Sequence, residues 1–233
     1  MKIISVIGLK NTGKTTLVTK IVKELVKRGY RIGTVKHSHH GFDLPGKDTW
    51  KHKEAGAELV VGSGKGTFFS FADDMELDTI LNLMKFSKNL DFIVLEGFKH
   101  AKYAKISTSD LNDDYIIATV NVMNIDEDHL KSLVDLIEER SYGMIQELNC
   151  KKCGFENCNE YIKEKLSGSV TTEVECKTES DQVLLKINDN MIPLNPFVRS
   201  FIEETITGMV NSLKTEEFGV NEIKKIELLI RNE

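Results

Sequence analysis

Residues 3–29 read IISVIGLKNTGKTTLVTKIVKELVKRG: an apolar run from Ile3 to Ile7 breaks into Gly8-Leu9-Lys10-Asn11-Thr12-Gly13-Lys14-Thr15 and resumes as a helical pattern. The break matches G-x-x-x-x-G-K-[ST] in full. Its glycines let the backbone curl so that successive N–H groups converge on phosphate oxygens. Lys14 brings a point charge to the β and γ oxygens, and the Thr15 hydroxyl is suited to ligating Mg2+. Downstream, Leu17, Ile21, Val22, Leu25 and Val26 recur at helical spacing, and Gly29 marks the stop. Strand, loop, helix is the context that gives this motif its meaning. A nucleoside triphosphate is therefore the expected ligand, with Gly8, Lys10, Asn11, Thr12, Gly13, Lys14, Thr15 and Thr16 around its phosphates and Lys14 in the catalytic position.

Working outward, strand and helix signals alternate: strand 2–8, helix 14–28, strand 31–37, a short helix near 47–56, strands near 58–62 and 66–72, helix 76–88, strand 91–96, strand 115–120 and helix 126–140. Alternation of this kind predicts an α/β domain of the P-loop NTPase type with a mostly parallel sheet. The adjoining strands 58–62 and 66–72 read as a hairpin turning at Gly64-Lys65-Gly66, which predicts a mixed sheet. A phosphate-loop protein also needs an acidic side chain at the end of a neighbouring strand. Asp91-Phe92-Ile93-Val94-Leu95-Glu96-Gly97 supplies one, with Glu96 emerging where a buried strand ends.

The second strand leads into Val35-Lys36-His37-Ser38-His39-His40-Gly41-Phe42-Asp43, a segment rich in groups able to meet phosphate or metal. Asp43 is a candidate Mg2+ ligand across the cleft. His37, His39 and His40 admit two readings, a solvated loop or a metal-binding cluster.

With 233 residues, 40% hydrophobic and 29% charged, the chain has an ordinary globular composition, with room for one α/β domain and a smaller one. No stretch approaches a membrane span or a signal sequence, so a cytoplasmic location is expected. The net charge of −5 conceals an asymmetry, because residues 1–65 are strongly basic and 66–148 strongly acidic. A basic phosphate-loop end suits a phosphorylated ligand. The basic and aromatic interleaving of a nucleic-acid surface is missing.

The character of the chain changes near residue 148. All four cysteines fall between Cys150 and Cys176, spaced Cys150-x2-Cys153-x4-Cys158-x17-Cys176. The division expected is a nucleotide domain over 1–148 and a small α+β cysteine-rich domain over 149–233. Within the latter, strands 182–187 and 191–194, a helix 196–213 opened by Pro196 and a last strand near 223–231 are expected. In a reducing compartment four clustered thiols point to metal, either Zn2+ or a 4Fe-4S cluster, and the spacing leaves both open.

Three stretches of the first domain, GLKNTGKTTL, TVKHSHHGFDLPGKDTWKHKEAGAELVV and VLEGFKHAKYAKI, resemble in order and spacing the signatures of the MobB family of molybdopterin-guanine dinucleotide biosynthesis. The resemblance covers roughly residues 2–140. It implies a GTP-binding, dimeric adapter that assists a separate MobA-like molybdopterin nucleotidyltransferase and is at most a weak GTPase. Asp43 and Glu96 are implied as Mg2+ partners, and Lys99 and Lys105 lie in the family's EGFK segment. The Asn-Lys-x-Asp tetrad that reads guanine in many GTPases is absent, so the preference for GTP is carried by the resemblance. Residues 149–177 are similar to the four-cysteine iron-sulfur domain of corrinoid iron-sulfur proteins, which implies that Cys150, Cys153, Cys158 and Cys176 hold a 4Fe-4S cluster. A metal-insertion GTPase using the histidines and thiols is the alternative function, and a small-molecule kinase a further one.

Overall fold

The structure, a computed structural model, describes residues 1–38, 41–42, 44–170, 174–179, 183–188 and 190–230. It divides into two compact units, Met1–Gly143 and Met144–Glu233. The first carries β1 (Lys2–Ile7), α1 (Lys14–Lys27), β2 (Ile32–Lys36), α2 (Asp48–Glu54), β3 (Leu59–Ser63), β4 (Thr67–Phe71), α3 (Leu77–Ser87), β5 (Phe92–Glu96), β6 (Ala104–Ser107), β7 (Ile116–Thr119) and α4 (Glu127–Arg140).

Five of these strands form one sheet in the order β2-β5-β1-β6-β7, every pairing parallel. The central strands β1 and β5 are nearly continuous apolar runs because both their faces are covered, as a parallel sheet requires. Ser5 interrupts β1 without exposing a polar group, since its hydroxyl donates to the Gly97 carbonyl at 2.6 Å. On α1, Leu17, Ile21 and Leu25 are completely buried. Each is worth roughly 1.5–3 kcal/mol of transfer free energy. Arg28 at the end of α1 ties that helix to α4, its guanidinium meeting Asp135 at 2.6 Å and Glu138 at 3.1 Å.

The mixed sheet expected from sequence is not formed. β3 and β4 pair only with each other, antiparallel, and make a separate two-stranded sheet whose turn is closed by Gly64 N–H donating to the Gly66 carbonyl at 2.9 Å. The fifth strand of the main sheet is instead β6, which sequence periodicity missed. Lys105 stands in its middle and breaks the apolar pattern, yet it is 1% exposed. Its ammonium donates to Asp113 Oδ2 at 2.6 Å and the Lys99 carbonyl at 2.7 Å and lies 5.1 Å from the Tyr115 ring centre. A paired cation can be buried where an unpaired one could not.

The second unit holds α5 (Cys158–Ser167), β8 (Leu185–Ile187), β9 (Asn190–Ile192) and α6 (Pro196–Asn211). β8 and β9 form an antiparallel pair. Helix α5 lies inside the cysteine segment, where no helix was expected, although its signals are local: Asn157 caps it by accepting from Glu160 N–H at 2.9 Å, and Gly168 ends it in the left-handed conformation at φ 82°. The strand expected near 223–231 is not formed over its described part, residues 223–230.

Asp91 precedes β5 and accepts from the Arg31 guanidinium at 2.9 and 3.0 Å and from the Arg31 backbone N–H at 2.7 Å. These bonds hold its carboxyl at about 2, below an unfolded value of about 3.9. A depressed carboxyl stabilises the fold above the unfolded value and loses that contribution as pH falls through the folded one. Asp91→Asn should therefore unfold at a lower temperature than the parent at pH 7, with the gap closing as pH falls from about 4 toward 2; thermal unfolding at stepped pH measures it.

Candidate functional site

The carboxyl ends of β1, β5, β2 and β6 converge, and each delivers one part of the site. β1 runs into the glycine loop, whose curl is enforced by crowding. A Cβ on Gly8, which has φ 153°, would stand 2.1 Å from Thr108 Oγ1 and 2.9 Å from Thr12 Oγ1. Asn11 (φ 61°) and Gly13 (φ 84°) are both left-handed, the conformation that glycine and asparagine adopt most readily. Gly13 then opens α1, with neither a side-chain cap nor an acidic residue in the first turn. The N–H groups and positive dipole end of this helix therefore face the loop without a resident anion among the residues of that turn, the arrangement that receives phosphate.

The expected loop residues come together. Thr12 Oγ1 donates to the Leu9 carbonyl at 2.9 Å and lies 2.6 Å from Thr108 Oγ1. Lys14 Nζ lies 2.5 Å from the Leu9 carbonyl and 3.4 Å from that of Gly8, so its ammonium is held over the loop. Lys10, Asn11, Thr15 and Thr16 are exposed. Glu96, the last residue of β5, is 9% exposed and sits beside Val6 and Lys36 in the parallel register. Its Oε1 accepts from the Thr15 hydroxyl at 2.8 Å. A hydroxyl on the helix and a carboxylate on the neighbouring strand are oxygen donors of the kind Mg2+ selects. Thr15 and Glu96 would hold that ion. Asp43, the other expected Mg2+ partner, lies outside the described residues, as do His39 and His40.

Two loop-bracing residues escaped the sequence reading because the strand that carries them did. Thr108 and Ser109 follow β6. Thr108 Oγ1 reaches the Ile7 carbonyl at 3.1 Å as well as Thr12, and Ser109 Oγ accepts from Leu9 N–H at 3.1 Å. The run Ser107-Thr108-Ser109, three hydroxyls after a buried strand, was the available signal. On the other side, Gly97 (φ 96°) and Phe98 (φ 56°) turn the chain sharply after Glu96, and the Phe98 ring packs 5.3 Å from that of His37. A bulky residue in the left-handed region is uncommon and costs of order 1–3 kcal/mol. Lys99 contributes to the site through its backbone, as the carbonyl that Lys105 holds.

In the second unit Cys150, Cys153 and Cys158 are half-buried and Cys176 is buried. Burial pushes the Cys176 thiol above its ordinary value, and its Sγ lies 3.1 Å from Thr178 Oγ1. Burial likewise pushes the Tyr161 hydroxyl up, beside the Cys176 backbone. Among the described residues, however, no group of three or more His, Cys, Asp or Glu side chains is placed to hold one metal ion. The four thiols are therefore not gathered into a ligand set here. No helix among the described residues is long and apolar enough to cross a membrane.

A parallel sheet with a glycine loop at the end of β1, an uncapped helix after it and a carboxylate one strand away defines a P-loop nucleotide-binding protein. Within that class the chain belongs to the MobB family, described as molybdopterin guanine dinucleotide synthesis protein B, whose family model matches residues 3–123. It is 32% identical to a protein of Methanocaldococcus jannaschii provisionally named a molybdopterin-guanine dinucleotide biosynthesis adapter protein, across 99% of this chain and 97% of that one. It is 43% identical to the Escherichia coli molybdopterin-guanine dinucleotide biosynthesis adapter protein over 102 residues, 41% of this chain and 58% of the relative. Among solved structures, Bacillus subtilis MobB aligns with a TM-score of 0.46 at 24% identity, over 62% of this chain and all of its own.

Gly8→Ala is expected to destabilise the first unit by about 1–3 kcal/mol, because the added methyl collides with Thr108. Adding Thr108→Ala should restore part of that loss. Urea unfolding followed through Trp50, the single tryptophan, would measure both.

Proposed function

We propose that this chain is a GTP-binding adapter of molybdopterin-guanine dinucleotide biosynthesis. In that role it binds GTP and Mg2+ and assists a separate nucleotidyltransferase in attaching the guanine nucleotide to molybdopterin. Support comes from family membership, from the names of the relatives and above all from one observation: Thr15 and Glu96, from helix and strand, share a 2.8 Å hydrogen bond beside a glycine loop that admits no Cβ at Gly8. Lys14 would neutralise the β and γ phosphates, and the amides of the first turn of α1 would bind their oxygens. Turnover of GTP by the chain alone is expected to be slow, as suits an adapter.

The resemblance also points to a homodimer, and the β3–β4 hairpin offers a surface for it. Leu59 and Val61 on β3 face Phe71 and Phe69 on β4, and all four are exposed on one side of a sheet of only two strands. Such a hairpin is marginal by itself and gains from an apolar partner.

For the cysteine segment we propose a 4Fe-4S cluster held by Cys150, Cys153, Cys158 and Cys176, with Zn2+ as the competing occupant. This reading rests on the spacing of the four cysteines in the sequence and on its resemblance, although the thiols are not brought together into a ligand set in this structure.

Lys14→Ala should abolish GTP binding in calorimetry while leaving the far-UV spectrum unchanged; unaltered affinity would overturn the nucleotide assignment. Anaerobic purification followed by metal analysis should find about four irons per chain, reduced by Cys176→Ser. One zinc and no iron would instead make the cysteine segment a structural zinc site.

A further inference from the structure

The Thr15–Glu96 pair has a third member that neither the loop motif nor a strand-end carboxylate requires. Lys36, the last residue of β2, stands opposite Glu96 in the parallel register. Its Nζ donates to Glu96 Oε1 at 2.8 Å, the same oxygen that accepts from the Thr15 hydroxyl, and lies 3.4 Å from Thr15 Oγ1. Those two oxygens are the ones a divalent cation would need here. An ammonium within hydrogen-bond reach of both thus occupies the electrostatic place of the cation.

The exposures of the two partners differ in a telling way. The Glu96 side chain is 11% exposed and the Lys36 side chain 48%. A nearly enclosed carboxylate is costly without a counter-charge. A half-exposed lysine can supply that charge and still withdraw into water on its flexible stem.

Resting on the reading of this end of the sheet as a Mg2+ and nucleotide site, we propose that Lys36 is an internal counter-ion that competes with the divalent cation for Glu96. Metal binding is an exchange in which the cation arrives at Glu96 and Thr15 and the Lys36 ammonium leaves. The exchange weakens intrinsic metal affinity and keeps the carboxylate neutralised whenever the metal is elsewhere. Lys36 is a positioning residue in this scheme, because it acts through Glu96.

The test uses the full chain with Mn2+ alone as the probe, free Mn2+ being read by electron paramagnetic resonance. Lys36→Met should bind Mn2+ about two- to fivefold more tightly than the parent, the scale of a partly exposed ion pair, and Lys36→Arg should stay close to the parent. In a Glu96→Gln background, Lys36→Met should make no difference. Equal or weaker Mn2+ binding by Lys36→Met, or an effect that persists without the Glu96 carboxylate, would overturn the proposal. Failure of the nucleotide reading shows separately, as absence of GTP binding by the parent chain, because the Mn2+ titration contains no nucleotide.

Discussion

The parallel register of β1 between β5 and β6 is the constraint on which the site depends. It sets Val6 beside Glu96 and Ile7 beside Ser107, while β2 sets Lys36 beside the same Glu96. Strands about 4.8 Å apart, advancing about 3.3 Å per residue, then leave Gly8, Glu96 and Thr108 one or two residues from a common level. A slip of one residue would turn every side chain to the opposite face. Glu96 would leave Thr15 and Lys36, while the apolar residues of β5, covered on both faces, would only exchange one covered face for the other. The polar site is therefore the part most sensitive to register.

Much of the site is made of buried polar groups, and the sheet accepts them because each is satisfied. Ser5 reaches the Gly97 carbonyl, Ser107 the Ser109 carbonyl, Thr108 the Ile7 carbonyl and Lys105 its carboxylate and carbonyl. An unsatisfied donor at any of these places would cost about 1–3 kcal/mol. Lys105 does the most with this, since one ammonium secures both the loop that follows Glu96 and the approach to β7. The turn at Gly97 and Phe98 is thereby held in a conformation that a bulky residue would otherwise avoid.

Among its described residues the second unit is built differently, with short strands, two α-helices and few fully buried side chains. The full-length alignment to the M. jannaschii relative runs through it, whereas the alignment to the E. coli adapter covers only 41% of this chain. Its organisation is chiefly local: Asn157 and Gly168 delimit α5, Asn195 and Pro196 open α6, and Asn149 Oδ1 accepts from Cys158 N–H. Short-range signals of this kind shape a chain without specifying a large core.

By itself the sequence determined the elements whose signals are local and periodic. The run Ile3–Ile7, the loop Gly8–Thr15, the helix after it, the hairpin turn at Gly64–Gly66 and the position of Glu96 at a strand end all follow from spacing and residue type, as did the parallel α/β class. The tertiary structure alone decided what depends on partners distant in the chain. Lys105 reads as a surface residue until Asp113 and the Lys99 carbonyl neutralise and enclose it, which is why β6 was invisible and Thr108 and Ser109 with it. The hairpin strands were legible, but not their separation from the main sheet, because pairing is chosen by edges that only the assembled fold presents. The place of Lys36 on the oxygen that serves Thr15 was likewise hidden, since strand register, and not sequence distance, brings charges together across a sheet.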